Sequence, residues 1–260
     1  MTIPIASATP LSDFCEQLNP RVLNEVLRLP HPSRFSKDEN ALSVERLQQS
    51  WVAAIEKRVL LWLAERVPAR ITPDHLTALG LVAQIGAGVC YARSRSHPLA
   101  LLGVIVCLAL NWFGDSLDGT LARVRHQLRP RYGFYVDHMV DTFGSLALMG
   151  GLSVSGYMHP AIAIGLLIGF LMLSIQTYLA AHTLGEFRLS FWKFGPTELR
   201  ILLAVGNLAL FWKPTVHVLG EVYRLFDVGG AIGLAGMALV AVFFTAENTI
   251  RLYREERIVQ

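Results

Sequence analysis

Charge is scarce in this chain. Asp, Glu, Lys and Arg make up 17% of its 260 residues, where a soluble globular domain carries about a quarter. Cysteine is scarcer still. Cys15, Cys90 and Cys107 lie far apart, with no CxxC and no paired spacing, which argues against a disulfide framework and against a cysteine zinc site. The N-terminus lacks a basic stretch followed by an apolar one, so no cleavable signal peptide is expected. No internal repeat stands out. Apolar residues, by contrast, form 53% of the chain, and the mean hydropathy is +0.42. Long apolar runs alternate with short charged loops, the pattern of a polytopic helical membrane protein. The formal net charge of +3 is small, and no nucleic-acid partner is expected.

The chain divides by composition. Residues 1–42 are polar and proline-bearing and read as a cytoplasmic arm, with a short helix near Asp13–Leu29. Over 43–70 the pattern changes: Val44, Leu47, Trp51, Ile55, Val59 and Trp62 recur at helical spacing, with charged residues between them. This predicts an amphipathic helix lying on the membrane surface. Residues 71–255 then read as one catalytic unit of six transmembrane helices, near 74–92, 98–114, 134–156, 160–183, 196–213 and 228–250. The expected fold class is therefore an all-α polytopic membrane protein, six spans behind an interfacial helix. Lys and Arg set its orientation. One side receives 19 of the 23; only Arg93, Arg95, Lys213 and Arg224 fall opposite. The positive-inside rule puts both termini on the cytoplasmic side.

The chemistry concentrates in one segment, Asp115-Ser-Leu-Asp118-Gly119-Thr-Leu-Ala122-Arg123, followed nine residues later by Gly133-Phe-Tyr-Val-Asp137-His-Met-Val-Asp141. Asp115 and Asp118 are spaced i, i+3, and Asp137 and Asp141 i, i+4, so each pair shares one helix face. If the two helices are antiparallel neighbours, the four carboxylates converge. Two like charges about 4 Å apart repel by about 4 kcal/mol at an effective dielectric of 20. A bound cation resolves the repulsion, and oxygen-only ligands favour Mg²⁺, Mn²⁺ or Ca²⁺ over zinc. Gly119, Ala122 and Gly133 leave space between helices, either for close packing or for a phosphate-like group.

The string Asp-x2-Asp-Gly-x2-Ala-Arg-x9-Gly-x3-Asp-x3-Asp resembles the signature of the CDP-alcohol phosphotransferases, membrane enzymes of phospholipid synthesis. All eight fixed residues are present. The resemblance implies transfer of a substituted phosphoryl group from a CDP-alcohol to an acceptor hydroxyl, with release of CMP. It implies that Asp115, Asp118 and Asp137 ligate a divalent cation, Mg²⁺ or Mn²⁺. Asp141 is then the general base and a further metal ligand. Gly119, Ala122 and Gly133 would line the cytidine pocket, and Arg123 would support the nucleotide or phosphate. It also implies a homodimer among membrane lipids.

Further features attach to this resemblance. Thr72-Pro73 suits a helix start, and Thr77 matches a family threonine in the donor site. Asp74 stands where the family often has asparagine. His138 and Glu198 resemble residues of the choline/ethanolamine phosphotransferase branch, as second-shell or acceptor-site groups, which makes diradylglycerol the leading acceptor. Each has a plainer account as a structural histidine or a first-turn acid. Polyol phosphates such as inositol phosphate or glycerol phosphate are the alternative acceptors. His182, Glu186, Arg188 and Lys193 read mainly as a charged surface loop, and the 125–131 basic residues as an orientation-setting one. A reading from another class is a cation or substrate transporter, since intramembrane acids also mark ion paths.

Overall fold

The structure, a computed structural model, describes residues 53–184 and 196–256. The 1–42 arm, residues 43–52 of the expected amphipathic helix, and Glu186, Arg188 and Lys193 lie outside the described residues. Seven helices and one hairpin are described: α1 (Ala53–Ala64), α2 (Pro73–Ser94), α3 (Ala100–Val124), α4 (Pro130–Val154), α5 (Pro160–Thr183), α6 (Pro196–Leu210), β1 (Thr215–Val218), β2 (Glu221–Arg224) and α7 (Leu225–Glu255).

The helix starts follow from local chemistry. Thr72 caps α2: its hydroxyl accepts from the His75 amide at 3.4 Å, and His75 Nδ1 accepts from the Thr72 amide at 3.2 Å. Pro73 occupies the first turn, where its missing N–H costs nothing. Pro160 does the same for α5, behind an accepting His159 side chain.

α2 is the organising element. It packs along both α3 and α4, while α3 and α4 scarcely touch each other. Glycines permit this approach. A Cβ on Gly114 of α3 would sit 2.7 Å from the Gly80 amide nitrogen of α2. Further along α2, a Cβ on Gly151 of α4 would collide with the carbonyl of Gly88. Around the second contact lies one core cluster, containing Ala87, Tyr91, Leu101, Leu152, Met158 and Phe226. A second cluster joins Leu60 and Ala64 of α1 to Leu76, Leu117 and Leu121. The two clusters mark opposite ends of the bundle.

Two expectations are corrected here. Four of the described helices, α2, α3, α5 and α7, are long and apolar enough to cross a membrane, not six. The 25-residue α4 carries Arg131, Asp137, His138 and Asp141, which dilute its apolar character. α6 has 15 residues, about 22 Å of helix against a hydrocarbon core of about 30 Å. Nor is α1 an interfacial helix lying apart. Its Glu56, Leu60 and Ala64 face is buried. Trp112 Nε1, Ser116 Oγ and Thr197 Oγ1 donate to Glu56 Oε1 at 2.7, 3.2 and 3.0 Å. One carboxylate oxygen thus binds α1 to α3 and α6.

The hairpin between α6 and α7 is a further departure from an all-α fold. β1 and β2 pair antiparallel, Val216 opposite Tyr223 and His217 opposite Val222. Leu219 (φ 53°) and Gly220 (φ 92°) close it. Positive φ suits glycine and costs a leucine about 1–2 kcal/mol.

Candidate active site

The motif is helical almost throughout. Asp115, Asp118, Gly119, Ala122 and Arg123 extend α3 to Val124, where the sequence placed the end of a span near residue 114. Gly133, Asp137 and Asp141 lie in the first half of α4. The N-terminal turn of α2 lies against both, because α2 is the helix that α3 and α4 share. The expected antiparallel neighbours are thus separated helices, and their acids meet across a gap.

That gap is a cleft open to solvent. Pro73, Asp74 and Thr77 bound it from α2, Asp118, Gly119 and Ala122 from α3, and Gly133 and Asp137 from α4. Asp118 is 5% exposed, and both its oxygens are engaged. Thr77 Oγ1 donates to Oδ2 at 2.5 Å, and the Gly119 amide donates to Oδ1 at 2.5 Å. Thr77 therefore aims Asp118 into the cleft. The cleft glycines are not used for helix packing. A Cβ on Gly133 would meet nothing within 4 Å, and one on Gly119 only Arg123 Nη1 at 3.9 Å. Their lack of side chain leaves open room.

Asp115 and Asp141 are not in the cleft walls, but they act on its acids. Asp118 feels the charges of Asp137 and Asp115, and Asp141 those of Asp115, Asp137 and Asp118. All four acids therefore form one electrostatic group. Arg200 of α6 offsets part of this charge. Its Nη2 donates to Asp115 Oδ2 at 2.6 Å, and its Nε to Asn111 Oδ1 at 2.8 Å. Asn111 is itself seated by donating to the Gly80 carbonyl at 3.0 Å. Among the described residues, Arg200 Nη1 takes no hydrogen-bond partner.

Among the described residues, no three acidic, histidine or cysteine side chains close tightly enough to encircle an ion. The donor set nonetheless suits a hard divalent cation: it is all carboxylate oxygen, and its members repel one another.

Other expected site residues fall outside the cleft. Arg123 Nη2 donates to Thr120 Oγ1 at 3.2 Å, and Arg123 is not a wall residue. His138 lies against Phe134 and Tyr178, with ring centroids 4.2 and 4.6 Å away. Its Nδ1 is 2.5 Å from the Phe134 carbonyl. It is therefore held at the α4–α5 contact. Glu198 sits on the first turn of α6, also outside the walls.

Gln127 and Tyr132, which the sequence does not single out, line the cleft, and so does Arg129, which the sequence reads as part of an orientation-setting loop. Arg129 pairs with Asp74 and stacks 4.2 Å over the Tyr132 ring, so the acid at position 74 has a cation of its own. Its signal was the substitution itself, an acid beside a basic loop. Arg200 was also missed as a site residue; a cation on a short apolar helix was the available hint.

An archaetidylinositol phosphate synthase of Pyrococcus horikoshii is 30% identical over 105 residues, 40% of this chain and 52% of that protein. The chain thus spans about half the length of this curated relative. A family model described as CDP-alcohol phosphatidyltransferase matches residues 70–245, from the start of α2 into α7 and across the whole aspartate motif. The chain belongs to the CDP-alcohol phosphatidyltransferase family.

Proposed function

We propose that the protein transfers a substituted phosphoryl group from a CDP-alcohol to a hydroxyl of a polyol phosphate, releasing CMP. The observation that carries the reading is the cleft: Asp118, aimed by Thr77, faces two glycines whose missing side chains leave space for a ligand. The nucleotide then lies against Gly119, Ala122 and Gly133, with Arg123 close enough to Gly119 to meet its charge. Asp115, Asp118, Asp137 and Asp141 would hold Mg²⁺ or Mn²⁺. When bound, the cation offsets charge on the donor pyrophosphate and the leaving CMP. Asp141 takes the proton of the acceptor hydroxyl. The acceptor oxygen forms its bond to phosphorus as the phosphorus–oxygen bond to CMP breaks.

Arg200 favours a phosphorylated acceptor. Its guanidinium lies beside the reacting carboxylates with Nη1 unbonded among the described residues, and such a cation suits an anionic acceptor. Diradylglycerol carries no charge for it to meet. The diradylglycerol expectation leans on His138 and Glu198; His138 packs against Phe134 and Tyr178, and neither residue lines the cleft. The relative from Pyrococcus is named for a product bearing inositol phosphate, which supports an inositol phosphate acceptor. With it we keep residues 71–255 as the catalytic unit, a homodimer, and a cleft facing the cytoplasm with both termini. The Lys and Arg distribution supports the last.

The test is CMP release by the purified full chain with Mg²⁺ and Mn²⁺. One arm pairs CDP-diacylglycerol with inositol phosphate or glycerol phosphate. The other pairs CDP-choline or CDP-ethanolamine with diacylglycerol. Release in the first arm is expected. Release confined to the second would overturn the acceptor, and release in neither would overturn the reaction.

A further inference from the structure

The Thr215–Arg224 hairpin stands at the end of the bundle away from the carboxylates. Phe226, just beyond it, belongs to the far core cluster with Tyr91 and Leu101. Asp227 Oδ1 accepts from the His159 amide at the start of α5. The hairpin is fixed at its base, where the Leu225 amide donates to the Pro214 carbonyl at 2.9 Å.

Its tip is chemically unusual. A two-residue hairpin turn with both φ positive favours Asn-Gly, and this one is Leu219-Gly220. Leu219 is fully exposed, at 101%, so nothing among the described residues offsets its unfavourable backbone. Trp212, Val222 and Tyr223 are exposed as well, at 76%, 57% and 47%. In water this surface would carry a conformational penalty and an apolar one together, with no compensation.

We propose that the hairpin docks into the headgroup–acyl boundary of the leaflet opposite the carboxylate cleft, with Leu219 turned into the acyl chains. The hairpin runs directly into α7, a helix of membrane-spanning length. Trp212 and Tyr223 are the residue types that settle at that depth. Lys213 and Arg224 at its base can pair with lipid phosphate groups. Deeper insertion is opposed by the open strand edges, whose backbone groups need water or headgroup partners. A leucine in place of asparagine at the turn then makes sense: burial in the acyl chains offsets the backbone cost.

The test uses the full chain in phosphatidylcholine–phosphatidylglycerol vesicles. A nitroxide is placed at Leu219→Cys, with Cys15, Cys90 and Cys107 replaced by alanine. Collision with oxygen is expected to exceed collision with a water-soluble nickel chelate severalfold, relative to the same label at His126→Cys. Chelate access equal to that of the His126 label would overturn the proposal. Protection from both reagents would also overturn it, because a protein partner would then cover the tip. Leu219→Asn checks the same claim without cysteine replacement. Asparagine suits the turn in water, so a raised unfolding temperature in vesicles would contradict docking, and a lowered one is expected.

Discussion

The same helix, α2, meets its neighbours in two different ways. At Gly88 and Gly151 glycine brings backbones into contact, and an added methyl would strike a carbonyl. Beside the N-terminal turn of α2, Gly119 and Gly133 face a cleft, and an added methyl on Gly133 would strike nothing. One residue type thus does two jobs. The far glycines fix how closely helices approach, and the cleft glycines leave room for a ligand. The difference separates what holds the bundle together from what the bundle binds.

Substitutions on either side of that divide are expected to behave differently. The largest effect is expected for Asp141→Asn, which removes the proposed base and part of the carboxylate group. CMP release should fall by about 10²–10⁴-fold, with an unfolding temperature close to wild type; unaffected turnover would remove Asp141 from its role. Gly151→Ala should act oppositely. Overpacking costs about 1–3 kcal/mol, read as a lower unfolding temperature in detergent, while turnover per folded molecule stays near wild type. Arg200→Lys comes next. Lysine cannot span Asn111 and Asp115 with one fork, so the acceptor KM should rise about tenfold, the equivalent of about 1.4 kcal/mol for a charged hydrogen bond. The donor KM should stay put. The smallest change is expected for Thr77→Val, which removes one hydrogen bond to Asp118. A loss of about 1 kcal/mol should raise the donor KM about fivefold.

Much of the site was legible in the sequence because its chemistry is local. Asp115 to Arg123 sit on consecutive turns of one helix, and Gly133 to Asp141 on another, so spacing alone fixed their faces. The start of α5 was equally plain, since His159 and Pro160 end one pattern and begin the next. Tertiary facts were not legible. Nothing in the spacing says that α2 lies between α3 and α4, so the acids were expected on touching helices. Run length exaggerates the spans: 134–156 reads as one although its first turns carry Asp137, His138 and Asp141, and 196–213 runs on to Lys213 although α6 ends at Leu210. The buried face of α1 turns on Glu56, a charged residue that periodicity assigned to the solvent side. The hairpin strands are four residues each, too short to register beside membrane-length runs.

The central claim, that the space beside Gly119 and Gly133 is where a CDP-alcohol binds, is tested most directly by ligand binding rather than turnover. CDP-diacylglycerol binding to the purified full chain is measured in Mg²⁺, for wild type and Gly133→Val, with unfolding temperatures recorded alongside. The account predicts tight binding by wild type and severe loss in a variant that remains as stable as wild type. Equal affinity in the two proteins would contradict it.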